Sequence, residues 1–311
     1  NCRFFKFLPA INMIRSDIPM FTQALSRAEQ DALWQWVQRQ FACPSEGWQR
    51  LLLNGMPLGR LDAKWAAQVR QDWPLHQQHS EAALALDAGS WLEMADALQH
   101  MAATWHKLGL LGGWRNEKFD VRDEKGQALF ALERAAFRPL GLLSRAIHIN
   151  GLACCDGEWR FWIGRRSPYK AVDPNKLDNL VGGGISSGEC VQTAMLREGE
   201  EEAGLSAAQL QHARAGRRCL SLRPVSRGLH REELHIFDVV LPEGVQPQNQ
   251  DGEVAEFMLL SVAELAKAMA EGRLMNDALL ATLDAFGRYS LLDPQHELAQ
   301  WLARMGLFED D

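Results

Sequence analysis

Four glutamates fall within five consecutive positions near the middle of the chain, and this clustering limits what the segment can do. They are Glu198, Glu200, Glu201 and Glu202. On the predicted helix, Glu198, Glu201 and Glu202 are related as i, i+3 and i+4, so their like charges face one another and repel. A divalent cation such as Mg²⁺ takes oxygen ligands and would remove that repulsion. The spacing therefore predicts a metal site on one helical face.

The residues around the cluster indicate phosphate chemistry. Glycines follow Val181 and let the backbone turn tightly and approach a ligand closely. The helix is predicted over 190–203, with Gly204 at its end. Arg197 lies four residues before Glu201 and can pair with its carboxylate. A cation held there would neutralise diphosphate oxygens and lower the pKa of a bound water for attack on phosphorus.

This spacing resembles the Nudix box, G-x5-E-x7-R-E-U-x-E-E-x-G-U, in which U is aliphatic. The matching residues are Gly183, Glu189, Arg197, Glu198, Glu201, Glu202, Gly204 and Leu205. One position departs, because Gly199 stands where the family has an aliphatic residue. A glycine inside a helix costs about 1 kcal/mol relative to alanine. The departure therefore bears on local helix packing rather than on the metal ligands.

The resemblance implies roles for the matched residues. Glu201 and Glu202 would be the principal metal ligands, and Glu198 would be either a ligand or the general base. The implied catalytic set is Glu198, Arg197 and Glu201. The implied metal set is Glu198, Glu201, Glu202, the Gly183 carbonyl and Glu189, with Mg²⁺ as the ion and Mn²⁺ as a substitute.

Two further features concern the substrate. Nudix enzymes often recruit a carboxylate from outside the box, and Glu253 and Glu256 are the candidates, although an ordinary loop and strand edge would also explain them.

Basic residues flank the box in a chain of net charge −7, which suggests an anion site, although solvation explains any one of them. The flanking cations are Arg165, Arg166, Lys170, Lys176, Arg217, Arg218, Arg223 and Arg227. The substrate-binding candidates are Arg165, Arg166, Lys176, Arg227, Trp114 and Glu253.

Longer segments resemble one Nudix branch, whose members carry an N-terminal domain of unknown function and are similar to the Nudix part of fungal thiamine pyrophosphokinase. The segments are Trp114-Arg115-Asn116-Glu117, Glu133-Arg134-Ala135-Ala136-Phe137, His148-Ile149-Asn150-Gly151, Arg165-Arg166-Ser167, Lys176-Leu177-Asp178-Asn179 and Arg227-Gly228-Leu229. This resemblance implies hydrolysis of thiamine diphosphate, or of its oxidised analogues, to the monophosphate.

Three alternatives stay open. ADP-ribose or another nucleoside diphosphate derivative is the second choice of substrate. Isopentenyl diphosphate isomerases share the fold, but the cysteine and histidines that they use are missing between Lys176 and Gly184. A binding module would keep the fold and lose the glutamates, whereas here the set is intact.

Composition excludes several other classes. The chain has 311 residues, of which 47% are hydrophobic and 23% charged, as in soluble globular proteins. It has no long basic run, so we expect no nucleic-acid partner. It has no apolar stretch of about 18 residues, so we expect no membrane span. Its six cysteines lack C-x-x-C spacing and are typical of reduced thiols in the cytoplasm. The oligomeric state stays open.

We predict an α+β protein in which a Nudix-type mixed β-sheet, sandwiched by helices, follows a mainly helical α+β N-terminal domain. The expected divisions are a tail over 1–20, a tryptophan-rich helical domain over 21–138 and a Nudix hydrolase domain over 139–311. Most tryptophans are assigned to the core, and Trp114 is the exception because its loop is glycine-rich and polar.

Local signals predict the individual elements. Ser26, Asp62 and Ser90 are expected to cap helices, and Asn54-Gly55 to turn a hairpin. Strands are predicted over 146–153, 159–165, 234–241 and 256–260. Three late helices are predicted over 262–271, 277–286 behind Asn276, and 294–305 behind Asp293.

Overall fold

The computed structural model describes residues 18–170 and 172–305, so the predicted tail lies almost wholly outside the described residues. The helices are α1 Arg27–Gln40, α2 Ala63–Asp72, α3 Trp91–Lys107, α4 Phe137–Leu140, α5 Val191–Ala203, α6 Ala207–Leu210, α7 Val262–Ala270, α8 Asn276–Arg288 and α9 Glu297–Met305. The strands are β1 Gln49–Leu53, β2 Met56–Leu61, β3 Gln77–His79, β4 Ala83–Leu86, β5 Lys118–Arg122, β6 Ala128–Glu133, β7 Ser144–Cys155, β8 Glu158–Arg166, β9 Leu177–Asp178, β10 Val181–Gly184, β11 Arg214–Val225, β12 Gly228–Val240 and β13 Val254–Leu260. The predicted α+β class is confirmed.

The first half combines α2 and α3 with a four-stranded sheet in the order β2-β1-β4-β3 and a separate β5-β6 ribbon. The predicted hairpin is present, and Asn54 and Gly55 take φ values of 47° and 79° at its turn. Trp65, Trp73 and Trp105 are buried in the core beneath this sheet. Strands β3 to β6 were not predicted, because each is only three to six residues long and β3 is a polar edge strand.

The second half is built on a seven-stranded mixed sheet. Its main order is β11-β12-β7-β8-β13, with β10 paired to β7 and β9 paired to β8. The β12–β7 pair is parallel and the other pairs are antiparallel. Neighbouring residues of β7 point to opposite faces, so Ile147 packs with Met195 of α5 while Ala146 packs with Leu279 of α8. The predicted sandwich of helices around a mixed sheet is therefore confirmed.

Helix α1 precedes the predicted boundary at 138 but packs with elements that follow it. Leu33 and Val37 are fully buried in the same cluster as residues of α7, α8 and α9. The Asp293 N–H donates to Gln30 Oε1 over 2.9 Å, and His296 Nε2 lies 3.0 Å from Asp31 Oδ1. The division between residues 138 and 139 stays a prediction, and α1 joins the two sides of it physically.

The helix starts follow the predicted caps with two exceptions. Asp62 accepts the Trp65 N–H over 2.7 Å at the start of α2. Helix α8 begins at Asn276 itself, one residue early, with Met275 in the capping position. Helix α9 begins at Glu297 rather than at residue 294, because the preceding residues form a turn in which Asp293 accepts the Gln295 N–H over 2.9 Å. In the described part of the chain, no helix is long and apolar enough to cross a membrane.

Candidate active site

Helix α5 carries the box glutamates and has the predicted ends. Cys190 is its capping residue, and Gly204 ends it in the left-handed conformation at φ 64°. Gly199 is buried inside the helix, and a Cβ there would meet Leu210 Cδ1 of α6 at 2.5 Å. Leu210 therefore fills the space that the family's aliphatic residue would need, which explains the departure from the box.

Arg197 joins the predicted catalytic residues. Its Nε and Nη2 donate to both oxygens of Glu189, over 2.8 and 2.9 Å. Its Nη1 donates to Glu201 over 3.1 Å and lies 2.9 Å from Glu198. Its Nη2 also donates to the Gly184 carbonyl over 3.2 Å. The hydrogen bonds from Arg197 lower the pKa of Glu189, which favours the ionised carboxylate. The resulting ion pair holds α5 against the end of β10.

Glu198 lies directly against the backbone of β10. A Cβ on Gly183 would overlap the Glu198 carboxyl group, so the close approach requires glycine at that position. Burial raises the pKa of Glu198, although Arg197 opposes this. Metal ligation by the Gly183 carbonyl stays a prediction.

Glu202 is the most deeply buried carboxylate of the box. It accepts the Gly182 N–H over 2.9 Å. Burial, with the nearby carboxylates of Glu198 and Asp178, raises its pKa to about 8. Glu201, in contrast, is half exposed at the mouth of the site. Because Glu202 is buried near other carboxylates and accepts one backbone N–H, its oxygens suit a divalent cation.

The loop before β13 adds two carboxylates. Ligand oxygens of Glu202, Asp251 and Glu253 all lie within 4.8 Å of one another. The Ser167 N–H donates to the Glu253 carbonyl over 2.8 Å, which ties this loop to the end of β8. Glu253 therefore lies beside Glu202, and its role in the site stays a prediction. Asp251 was missed, since its turn-like sequence gives no sign that the loop folds onto α5.

The predicted substrate-binding cations have other partners. Arg165 donates to Glu256 over 2.6 Å, which also turns Glu256 away from the cluster. Arg166 is buried, donates to Asp178 over 2.8 Å, and has an Nε without a partner among the described residues. Lys176 lies 3.6 Å from Asp173.

Arg227 lies away from these cations, against the first half of the molecule. Its Nη1 lies beside Gly113, and its carbonyl accepts the Trp65 Nε1–H over 3.0 Å. Within residues 18–170 and 172–305, no hydrogen bond or ion pair joins Arg165, Lys176 or Arg227 to the box glutamates. A role for Arg165, Arg166, Lys176 and Arg227 in substrate binding stays a prediction.

The first half of the molecule reaches the site through the segment from Trp114 to Asp120. Arg115 Nη1 lies 3.6 Å from Glu253. Ser186 donates to Glu117 over 2.9 Å, and Ser187 donates to Asp120 over 2.6 Å. These contacts clamp the glycine-rich loop of the box.

Lys170 contacts the carboxylate cluster, whereas the contacts of Trp114 lie in the first half of the molecule, so a role for Trp114 in substrate binding stays a prediction. The Trp114 ring stacks on His106 with 4.9 Å between centroids, and its Nε1–H donates to Asn116 over 2.8 Å. Lys170 contacts Glu253, and burial lowers the pKa of Lys170. Neither Arg115 nor Lys170 was chosen from the sequence as a site residue, because nothing local ranks one cation above its neighbours.

Part of this chain is similar to known Nudix proteins. Residues 145–279 match the family model of the NUDIX domain. The chain is 36% identical over 206 residues to Nudix hydrolase 24, chloroplastic, and 34% identical over 189 residues to Nudix hydrolase 20, chloroplastic, both from Arabidopsis thaliana. The matches cover 65% and 60% of this chain and 56% and 50% of the relatives, so the chain spans about half the length of the curated relatives it matches. A crystal structure from Deinococcus radiodurans aligns with 61% of this chain and 99% of its own, at 20% identity and a TM-score of 0.39.

Proposed function

We propose that this chain, whose residues 145–279 are a Nudix domain, hydrolyses a diphosphate linkage with the help of a divalent cation, Mg²⁺ or in its place Mn²⁺. The observation that carries the proposal is the grouping of Glu202 with Asp251 and Glu253, with Glu198 near Glu202 and against the backbone of Gly183. A buried carboxylate such as Glu202, grouped with other carboxylates, is stabilised when the group holds a cation.

Each residue of the site has a proposed task. Glu198, Glu201 and Glu202 would hold the cation, which supplies charge neutralisation for the diphosphate when bound. Arg197 positions Glu189 and Glu201 through its fixed donors. Glu198 would be a ligand or the general base, and a carboxyl pKa raised by burial suits the acceptance of a proton from the attacking water.

The finer proposal concerns the substrate, for which we favour thiamine diphosphate or its oxidised analogues. The resemblance of the longer segments to the thiamine-related branch supports it. Trp114 belongs to the segment that places Arg115 beside Glu253, so an aromatic ring lies in the segment that borders the site. Aromatic faces attract cations such as a thiazolium ring. ADP-ribose or another nucleoside diphosphate derivative is the second candidate.

A substrate panel tests both levels of the proposal. With Mg²⁺, we expect oxothiamine diphosphate to give the monophosphate and phosphate, and chelation with EDTA to abolish turnover until Mg²⁺ is restored. Release of AMP from ADP-ribose without cleavage of thiamine analogues would favour the second candidate. Hydrolysis that persists unchanged in EDTA would contradict the proposed dependence on a cation.

A further inference from the structure

We propose that Arg115 and Lys170 form a cation pair that binds the phosphate oxygens of the substrate, and that the two halves of the molecule complete one anion site between them. This inference rests on the proposed function, because it assigns a task at the same site. Arg115 belongs to the first half of the chain, and Lys170 to the loop after β8.

Both cations meet at the carboxylate of Glu253. Arg115 Nη1 lies 3.6 Å from Glu253 Oε1, while the Lys170 ammonium contacts Glu253 Oε2. Carboxylate oxygens of Glu202 and Asp251 lie within 4.8 Å of a Glu253 oxygen. The cation pair is therefore directly beside the carboxylates that would hold the divalent cation.

A divalent cation changes the partners of this pair. If it takes the oxygens of Glu202, Asp251 and Glu253, the two side chains lose the carboxylate that now neutralises them. A buried ammonium without an anion is strongly disfavoured, and only 11% of the Lys170 side chain is exposed. Diphosphate oxygens, which a divalent cation also attracts, are the anions of suitable geometry and charge.

Arg115 is held in place but keeps an open side chain. Its N–H donates to Glu133 Oε1 over 3.2 Å, and Glu133 is buried. Two residues further on, Glu117 is tied to Ser186 of the box loop. The Arg115 side chain itself remains 46% exposed, so a ligand can reach it.

The other cations near the site are less available. Arg165 is engaged by Glu256, Arg166 by Asp178 and Lys176 by Asp173. Arg115 and Lys170 instead share one carboxylate, and that carboxylate is itself a candidate metal ligand. We therefore expect an anion that binds together with the metal to contact Arg115 and Lys170.

The test measures binding of inorganic pyrophosphate to the full chain by calorimetry in saturating Mg²⁺, with a check that the pyrophosphate stays intact. We expect Arg115→Ala and Lys170→Ala each to raise the Kd about tenfold, which is the loss of one charge-assisted contact. Arg115→Lys should recover part of the affinity. Arg214→Ala and Lys125→Ala, which remove exposed cations elsewhere, should change the Kd less than about twofold.

A second measurement separates the inference from simple unfolding. Mn²⁺ binding without an anion, followed by electron paramagnetic resonance, should become about threefold tighter or more in Lys170→Ala, because the ammonium no longer competes for Glu253. Opposite changes in the two Kd values support the cation pair, whereas an unfolded variant would weaken both. If Lys170→Ala does not fold, the test rests on the pyrophosphate Kd of the Arg115→Ala and Arg115→Lys variants.

Two outcomes separate this inference from the proposed function. An unchanged pyrophosphate Kd in Arg115→Ala and in every folded Lys170 variant overturns the cation pair, even if diphosphate hydrolysis is demonstrated. If no diphosphate is hydrolysed but pyrophosphate binding depends on both side chains, the proposed function fails and the anion site stands.

Discussion

Asp277 at the start of α8 and Glu202 near the end of α5 are both buried carboxylates with other potential metal ligands beside them. They differ in the charge of their neighbours, which is positive around Asp277 and mainly negative around Glu202. Each belongs to a group of three potential metal ligands whose atoms lie within 4.8 Å of one another. Asp277 accepts hydrogen bonds from Ser221 over 2.6 Å and from Arg223 over 2.8 Å. Although burial opposes ionisation, Arg223 and His230 hold the pKa of Asp277 well below its usual value.

Glu202 lacks that set of donors. It accepts one hydrogen bond, from the Gly182 N–H, and Lys170 is the nearby cation. Burial and the neighbouring carboxylates raise the pKa of Glu202 to about 8. The comparison teaches that acidic residues close together do not define a metal site. The Asp277 group is a salt-bridge network that its own donors already satisfy, whereas few donors stabilise the ionised form of Glu202.

The largest expected effect is on turnover by Glu202→Gln. We expect kcat in Mg²⁺ to fall about 10³-fold or more, because the loss of a ligand removes several kcal/mol of transition-state stabilisation. The melting temperature without metal should not fall, since burial already disfavours the ionised form of the carboxyl that the substitution removes. The matched control is Glu200→Gln, which changes an exposed carboxylate on the same helix. Unchanged kcat in Glu202→Gln would end the assignment of Glu202 as a ligand.

The second effect is on stability, through Asp277→Ala. This change removes the carboxylate that the buried Arg223 guanidinium contacts, so we expect the free energy of unfolding to fall by about 3 kcal/mol in urea titrations. Mn²⁺ affinity of the folded fraction should stay as it was. Asp96→Ala, at an exposed position, is the control. Loss of Mn²⁺ binding in Asp277→Ala with stability retained would reverse the comparison.

The third effect is the pH dependence of Mn²⁺ binding. Because the pKa of Glu202 is raised to about 8, this carboxyl holds a proton below that pH and must release it to bind a cation. The affinity should therefore rise with pH, by up to about tenfold per unit for one competing proton, and level off above about 8. Glu202→Gln should flatten the rise and Asp277→Asn should preserve it. A Kd that is constant from pH 6 to pH 8 in the unaltered chain would refute this coupling.

Short-range patterns predicted much of the fold. The C-terminal end of α5 follows from Gly204, and the β1–β2 hairpin follows from Asn54-Gly55, because such turns depend on residues close in sequence. Strand β11 was missed because it is an edge strand with many charges. The start of α9 was misplaced because the turn after Asp293 uses the same residue type as a helix cap.

The sequence by itself determined that Glu198, Glu201 and Glu202 share one helical face with Arg197 beside them, since helical periodicity is a local property of the chain. The tertiary structure alone decided that Asp251 and Arg115 lie at this cluster, that Glu253 and Lys170 rather than other candidates from the sequence do so, and that the Asp277 group is already neutralised. Coulomb energy and desolvation depend on which groups are neighbours in space, and folding brings those neighbours from positions far apart in the chain.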